Sequence, residues 1–151
     1  MTIPTSSPLA SVFTLPLLPA LFSVLLLSAC GPVDEAPTEE VAPLTLSYNG
    51  DYALQVDALL APSPPTTGDF DLSLELQVEG EPLEGAEVTL ELFMPGHGHG
   101  SAEEPLVIEE GAGLYRVENA AFSMPGLWEL RLNVVWDEFD AHIVWQVDVD
   151  G

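Results

Sequence analysis

"FDLSLELQVE", residues 70–79, decides the fold. Phe70, Leu72, Leu74, Leu76 and Val78 alternate with Asp71, Ser73, Glu75, Gln77 and Glu79, a period of two. A helix would scatter these apolar side chains around its axis, whereas a β-strand places all of them on one face. The same period appears on both sides. "AEVTLELFM" (86–94) puts Ala86, Val88, Leu90, Leu92 and Met94 on one face. "LWELRLNVVW" (127–136) does so with Trp128, Leu130, Leu132, Val134 and Trp136, and "AHIVWQVDV" (141–149) with Ala141, Ile143, Trp145, Val147 and Val149. "YALQVDALL" (52–60) reads as a weaker first strand, and short strands at 106–110 and 114–118 flank "GAG". Turn signals rich in Gly, Pro and Asp separate them: "APSPPTTG", "EGEPLEG", "PGHGHG", "MPG" and "DEFD". About seven such strands predict an all-β fold, an Ig-like antiparallel β-sandwich over residues 50–151 with no helical pattern.

The front of the chain obeys different rules. Residues 13–29, "FTLPLLPALFSVLLLSA", are apolar but shorter than a membrane span and broken by Pro16 and Pro19. They read as the hydrophobic part of an export signal covering residues 1–29, although "MTIPTSSPLAS" before them carries no Lys or Arg. "LSAC", Leu27 to Cys30, resembles the lipobox of bacterial lipoproteins. That resemblance implies cleavage before Cys30 and acylation of its thiol. Behind it, residues 30–49 form the expected tether, with "GPVDEAPTEEVAPL" too rich in Pro, Glu and Ala to bury a core. The expected location is the cell envelope, lipid-anchored, at an outer membrane facing the periplasm or the cell surface. Gly31 after the cysteine agrees with outer-membrane sorting. Contact with the membrane is expected through the lipid anchor only. Cys30 is the only cysteine, which excludes an intrachain disulfide and any Cys-based zinc or iron–sulfur site.

Charge excludes more. The chain carries 25 acidic residues against two arginines, a net charge of −23, and every acid lies after Cys30. Nucleic acid and anionic lipid both demand a basic surface, so neither is an expected partner. The field repels anions and concentrates cations, or serves solubility alone. No nucleophile motif, phosphate-binding glycine loop or helix-borne metal signature is present, so no enzymatic activity is expected.

Two of the three histidines fall in "FMPGHGHG" (93–100), and "SMPG" (123–126) repeats its Met-Pro-Gly tripeptide. Met94 continues the inward alternation of its strand, and Pro95 ends the ladder because it has no N–H. His97 and His99 follow in a glycine-rich loop. A thioether is a soft ligand suited to Cu(I), and imidazole serves both copper oxidation states, so Met94, His97, His99 and Met124 together point to copper. The alternative is equally concrete: Met94 and Met124 fill gaps in the core, and the histidines are merely solvated.

Beyond single motifs, the ordered succession "PPTTGDFDLSLEL", "GEPLEGAEVTLELFMPGHGHG", "GAGLYRVENAAF" and "SMPGLWELRLNV" resembles the YtkA-like/FixH-like group of small exported β-sandwich domains. The resemblance spans roughly residues 55–136. It implies copper handling or a part in terminal-oxidase assembly, which some members of that group have. It carries Met94 and His99 onto the group's Met and His positions, places His97 where a second Met is common, and makes Met124 the second corner. Imidazole in place of that thioether hardens the site, so an exclusive preference for Cu(I) does not follow.

Other candidates have plainer readings. Tyr115 is expected to cap a turn with its hydroxyl, and His142 to lie on the outer face of the last strand. Glu103 and Glu104 could add a carboxylate to the histidine loop or only local potential. Trp136, Trp145 and Phe139 are core or an aromatic patch for a partner. Two functions therefore stand at this point. One is a lipid-anchored envelope protein that binds copper or hands it to an acceptor. The other is a metal-free structural or protein-interaction module contacting another envelope protein.

Overall fold

The alternating stretch at 70–79 becomes the central strand of one sheet. A computed structural model describes residues 41–151; the expected signal segment, Cys30 and the tether up to residue 40 lie outside the described residues. In chain order the strands are β1 (Leu44–Asn49), β2 (Leu54–Ala61), β3 (Gly68–Asp69), β4 (Asp71–Val78), β5 (Glu81–Pro82) and β6 (Glu87–Met94). They continue with β7 (His99–Gly100), β8 (Leu106–Gly111), β9 (Leu114–Glu118), β10 (Ala121–Phe122), β11 (Gly126–Trp136) and β12 (Phe139–Val149). The one helical element is a 3-10 turn at Asp51–Ala53, among the described residues.

The first sheet runs β1-β2-β4-β9-β8, with β5 added to β4; the second runs β12-β11-β6-β7. All the pairings within these sheets are antiparallel, so the expected all-β sandwich is the fold. Each of the long strands sends the predicted face inward. Leu72, Leu74 and Leu76 of β4 meet Leu90 and Leu92 of β6 and Trp128, Leu130, Leu132 and Val134 of β11 in one core cluster. Burying a side chain of this size stabilises by about 1.5–3 kcal/mol, which makes the alternation from Asp71 to Leu76 and from Trp128 to Trp136 a strong determinant of register. No polar or charged residue is buried among the described residues.

The sandwich begins earlier than the sequence suggests. Residues 44–49, assigned above to the tether, form β1, the edge strand paired with β2 from Leu44↔Leu60 to Asn49↔Gln55. Leu44, Leu46 and Tyr48 alternate and are half-buried against the core. Their signal is weak because an edge strand buries less of each side chain than a central one.

A small pair, β3 with β10, closes one end of the sandwich. There Phe70 stacks on Phe122 with ring centroids 4.2 Å apart, and Phe122 lies 5.5 Å from Trp128. The Ser101 hydroxyl donates to Ala121 O at 3.1 Å, tying the segment after the histidine loop to this cap. The opposite end carries the β1–β2 connection and the Asp137–Glu138 turn of the β11–β12 hairpin.

Candidate functional site

Met94 ends β6 in phase with Leu90 and Leu92, and it is 3 % exposed. Because Pro95 cannot continue the ladder, the chain turns at once. The N–H groups of His97 and Gly98 both donate to Met94 O, at 3.1 and 2.9 Å. Gly98 takes φ +70°, a left-handed conformation glycine adopts without penalty, and lets the chain reverse into β7. The reversal brings Met94 opposite His99 and Phe93 opposite Gly100. Residues directly opposite in an antiparallel pair project to the same side of the sheet, with Cβ atoms about 4.5–5.5 Å apart. The sequence spacing hides this neighbourhood of Met94 and His99.

The two imidazoles are exposed and close, with ring centroids 5.7 Å apart and planes at 64°. With metal–nitrogen bonds of about 2 Å, two imidazoles on one ion can have centroids up to about 6 Å apart, so a shared ion fits this spacing. His99 Nδ1 lies 3.0 Å from Gly100 O. Donation to that carbonyl places the ring proton on Nδ1 and leaves the Nε2 lone pair free to bind a metal.

The second Met-Pro-Gly corner meets the first. Gly126 has φ +123°, and a Cβ built on it would lie 2.8 Å from Met94 Cε. Met94 therefore packs over the glycine of the second tripeptide. Its thioether is in the core, the position expected from alternation, and not in the exposed loop beside the imidazoles. Met124 is half-buried against the core. Its carbonyl accepts from Trp128 Nε1 at 2.9 Å, which satisfies the only polar atom of a fully buried indole.

The carboxylates do not join this group. Among the described residues, no three or more His, Cys, Asp or Glu side chains converge as a metal site. Glu103 and Glu104 line a shallow recess of about 360 Å³ with Leu90, Leu92 and Ser101. His142 is exposed on the outer face of β12, with Nε2 3.4 Å from Asp140. The donors that the fold gathers are thus the two surface imidazoles, while the Met94 thioether packs in the core against Gly126.

Tyr115 is buried, and its hydroxyl donates to Leu83 O at 3.0 Å and accepts from Ala86 N at 3.3 Å, fastening the turn before β6. Burial pushes its phenol up from the ordinary value, with the charges of Glu109 and Glu84 adding to the rise against the Ala86 N–H. Trp136 and Trp145 are core residues, 7 % and 9 % exposed. Sequence reasoning missed Tyr52, which packs against Phe139 with centroids 4.5 Å apart and planes at 39°. No local pattern marks it, because its ring is brought to β12 by the β1–β2 connection.

No curated protein and no solved structure matches the chain. The YtkA-like family model matches residues 52–133, from the 3-10 turn through most of β11 and including both Met-Pro-Gly corners. That match covers more than half of the chain, and the protein belongs to the YtkA-like family.

Proposed function

We propose that this protein is a lipid-anchored domain of the cell envelope that binds copper at the His97–His99 loop and passes it on, with no enzymatic activity of its own. The observation that carries the reading is the paired imidazoles, 5.7 Å apart at the end where Met94 opposes His99. Imidazole accepts copper in either oxidation state, and a thioether favours Cu(I). His97 and His99 would hold the ion. Met94, cross-strand from His99, is the nearby thioether, and its three rotatable bonds allow it to leave the core contact. Met124 is half-buried at the adjoining corner, available as an auxiliary donor. An exposed site with few donors suits transfer better than storage. The acidic surface raises the local concentration of cations. Anchoring rests on Cys30 after the "LSA" sequence, and no helix among the described residues is long and apolar enough to cross a membrane.

The test is a Cu(I) titration of the protein under reducing conditions against a chromophoric chelator. Tight one-to-one binding, lost when His97→Ala is combined with His99→Ala, is the expected result. Unchanged binding in that double variant would place the site elsewhere.

The burial of Met94 favours a second reading, a metal-free module that contacts another envelope protein. Absence of Cu(I) binding beyond that of a generally acidic surface would select it.

A further inference from the structure

At the end of the sandwich opposite the histidine loop, three aromatic rings pack together at tilted and edge-on angles. Tyr52 lies 4.5 Å from Phe139 and 6.3 Å from Trp136, and Phe139 lies 5.6 Å from Trp136. Trp136 is buried, Phe139 half-buried, and Tyr52 is 58 % exposed. Tyr52 and Ala53 take φ +58° and +55°, a conformation side-chain-bearing residues rarely adopt. Asp51 precedes Tyr52, and Asp137 and Glu138 form the turn between Trp136 and Phe139, all exposed. Glu79 lies at the same end of the sandwich, its backbone N–H donating to Ala53 O at 3.3 Å.

None of these four carboxylates is in an ion pair among the described residues. The chain has nothing to offer them. Its two arginines are engaged elsewhere, Arg116 with Glu110 and Glu118, and Arg131 with Glu129 and Glu91. Residues 1–40 contain no Lys or Arg either, and a second copy brings the same charge. Nor do the carboxylates converge as a metal site. A compact metal ion is therefore a poor match, whereas a spread organic cation with an apolar stem fits the arrangement. Guanidinium groups stack on aromatic faces and pair with carboxylates, and their methylene stems cover apolar surface.

We infer that the Tyr52–Phe139–Trp136 end is a docking surface for an arginine-bearing segment of another protein. Guanidinium lies on the Tyr52 ring while Asp51, Asp137, Glu138 and Glu79 surround it. This surface is independent of the histidine loop and needs no metal.

The test uses a short capped peptide alternating arginine and glycine, titrated into the full protein in copper-free buffer and read by calorimetry. Tyr52→Ala removes the ring without changing charge, and an exposed residue is safely replaced. It is expected to weaken binding about two- to fivefold, with Tyr52→Phe close to the parent, in keeping with the strength of an exposed cation–aromatic contact. Asp137→Asn with Glu138→Gln is expected to weaken it similarly. Glu103→Gln with Glu104→Gln removes the same charge outside this surface and is expected to leave binding unchanged. Equal loss from the two carboxylate pairs, full binding by Tyr52→Ala, or no binding by the parent overturns the inference. The first of these outcomes assigns the attraction to the general acidic field.

Discussion

The methyl of Met94 lies against Gly126, so close that a Cβ on the glycine would sit 2.8 Å from it. The two Met-Pro-Gly corners are thus one packing unit. The contact alone is soft, because Met94 Cε is the far end of a flexible side chain. The backbone is not, since Gly126 holds φ +123°. Gly126→Ala is expected to cost about 1–3 kcal/mol through backbone strain. In thermal melts that is a fall of about 5–15 °C for a domain of this size. Shortening Met94 to alanine in the same chain should not recover it. Recovery would show that the clash, and not the backbone, sets the cost.

Met94 and the histidines should separate when varied. Met94→Ala opens a core cavity and is expected to cost about 2–5 kcal/mol. Met94→Leu conserves volume and should cost under about 1.5 kcal/mol. His97→Ala and His99→Ala are surface changes, expected within about 0.5 kcal/mol of the parent. Copper binding should follow the reverse order, surviving weakened in Met94→Leu and vanishing in the histidine double variant. Chemical denaturation beside the Cu(I) titration measures both. A Met94→Leu chain that binds Cu(I) as tightly as the parent would remove the thioether from the site and leave the imidazoles.

Tyr115 supplies a pH dependence. Its folded-state phenol is raised from 10.0, first by burial, so the unfolded chain loses the proton at lower pH than the folded one. The stabilisation is complete below about pH 10 and drains away as pH rises through the folded value. Tyr115→Phe should flatten this alkaline decline. It also leaves Leu83 O without its donor and Ala86 N without its acceptor, a loss of about 1–3 kcal/mol near neutrality. Denaturant midpoints from pH 8 to 11 check both effects together. An alkaline decline identical in the two chains would mean that other groups cause it.

The inward faces of β4, β6, β11 and β12 were legible because each buries every second residue, and Phe70 to Leu76 or Trp128 to Trp136 can follow no other period. Met94 was legible as core for the same reason. Its neighbours were not. The approach to Gly126 depends on β6 and β11 lying side by side, and the pairing with His99 on a turn after Pro95. The first is not a local property of "MPGHGHG", and the second needs the conformation of its turn, which the spacing alone does not give. Tyr52 escaped notice likewise, because its partner Phe139 belongs to the last strand.

β1 shows where composition misleads, and it carries the last prediction. "LTLSYN" follows a Pro- and Glu-rich segment and offers only three apolar positions, so it resembles the end of a tether. In the fold it covers the edge of β2, whose Leu54, Val56, Ala58 and Leu60 are fully buried. It also supplies Ser47 O, to which Trp145 Nε1 donates at 3.4 Å. A chain beginning at residue 50 would uncover that edge, lose half-buried Leu44, Leu46 and Tyr48, and leave the indole N–H of Trp145 without its acceptor. Three such side chains contribute about 3 kcal/mol at half burial. The shorter chain is therefore expected to melt more than about 10 °C below one beginning at residue 41. It should also show red-shifted tryptophan emission, and its bare β2 edge should promote association on gel filtration. Equal melting temperatures and emission in the two chains would demote β1 from a member of the sandwich to an appendage on it.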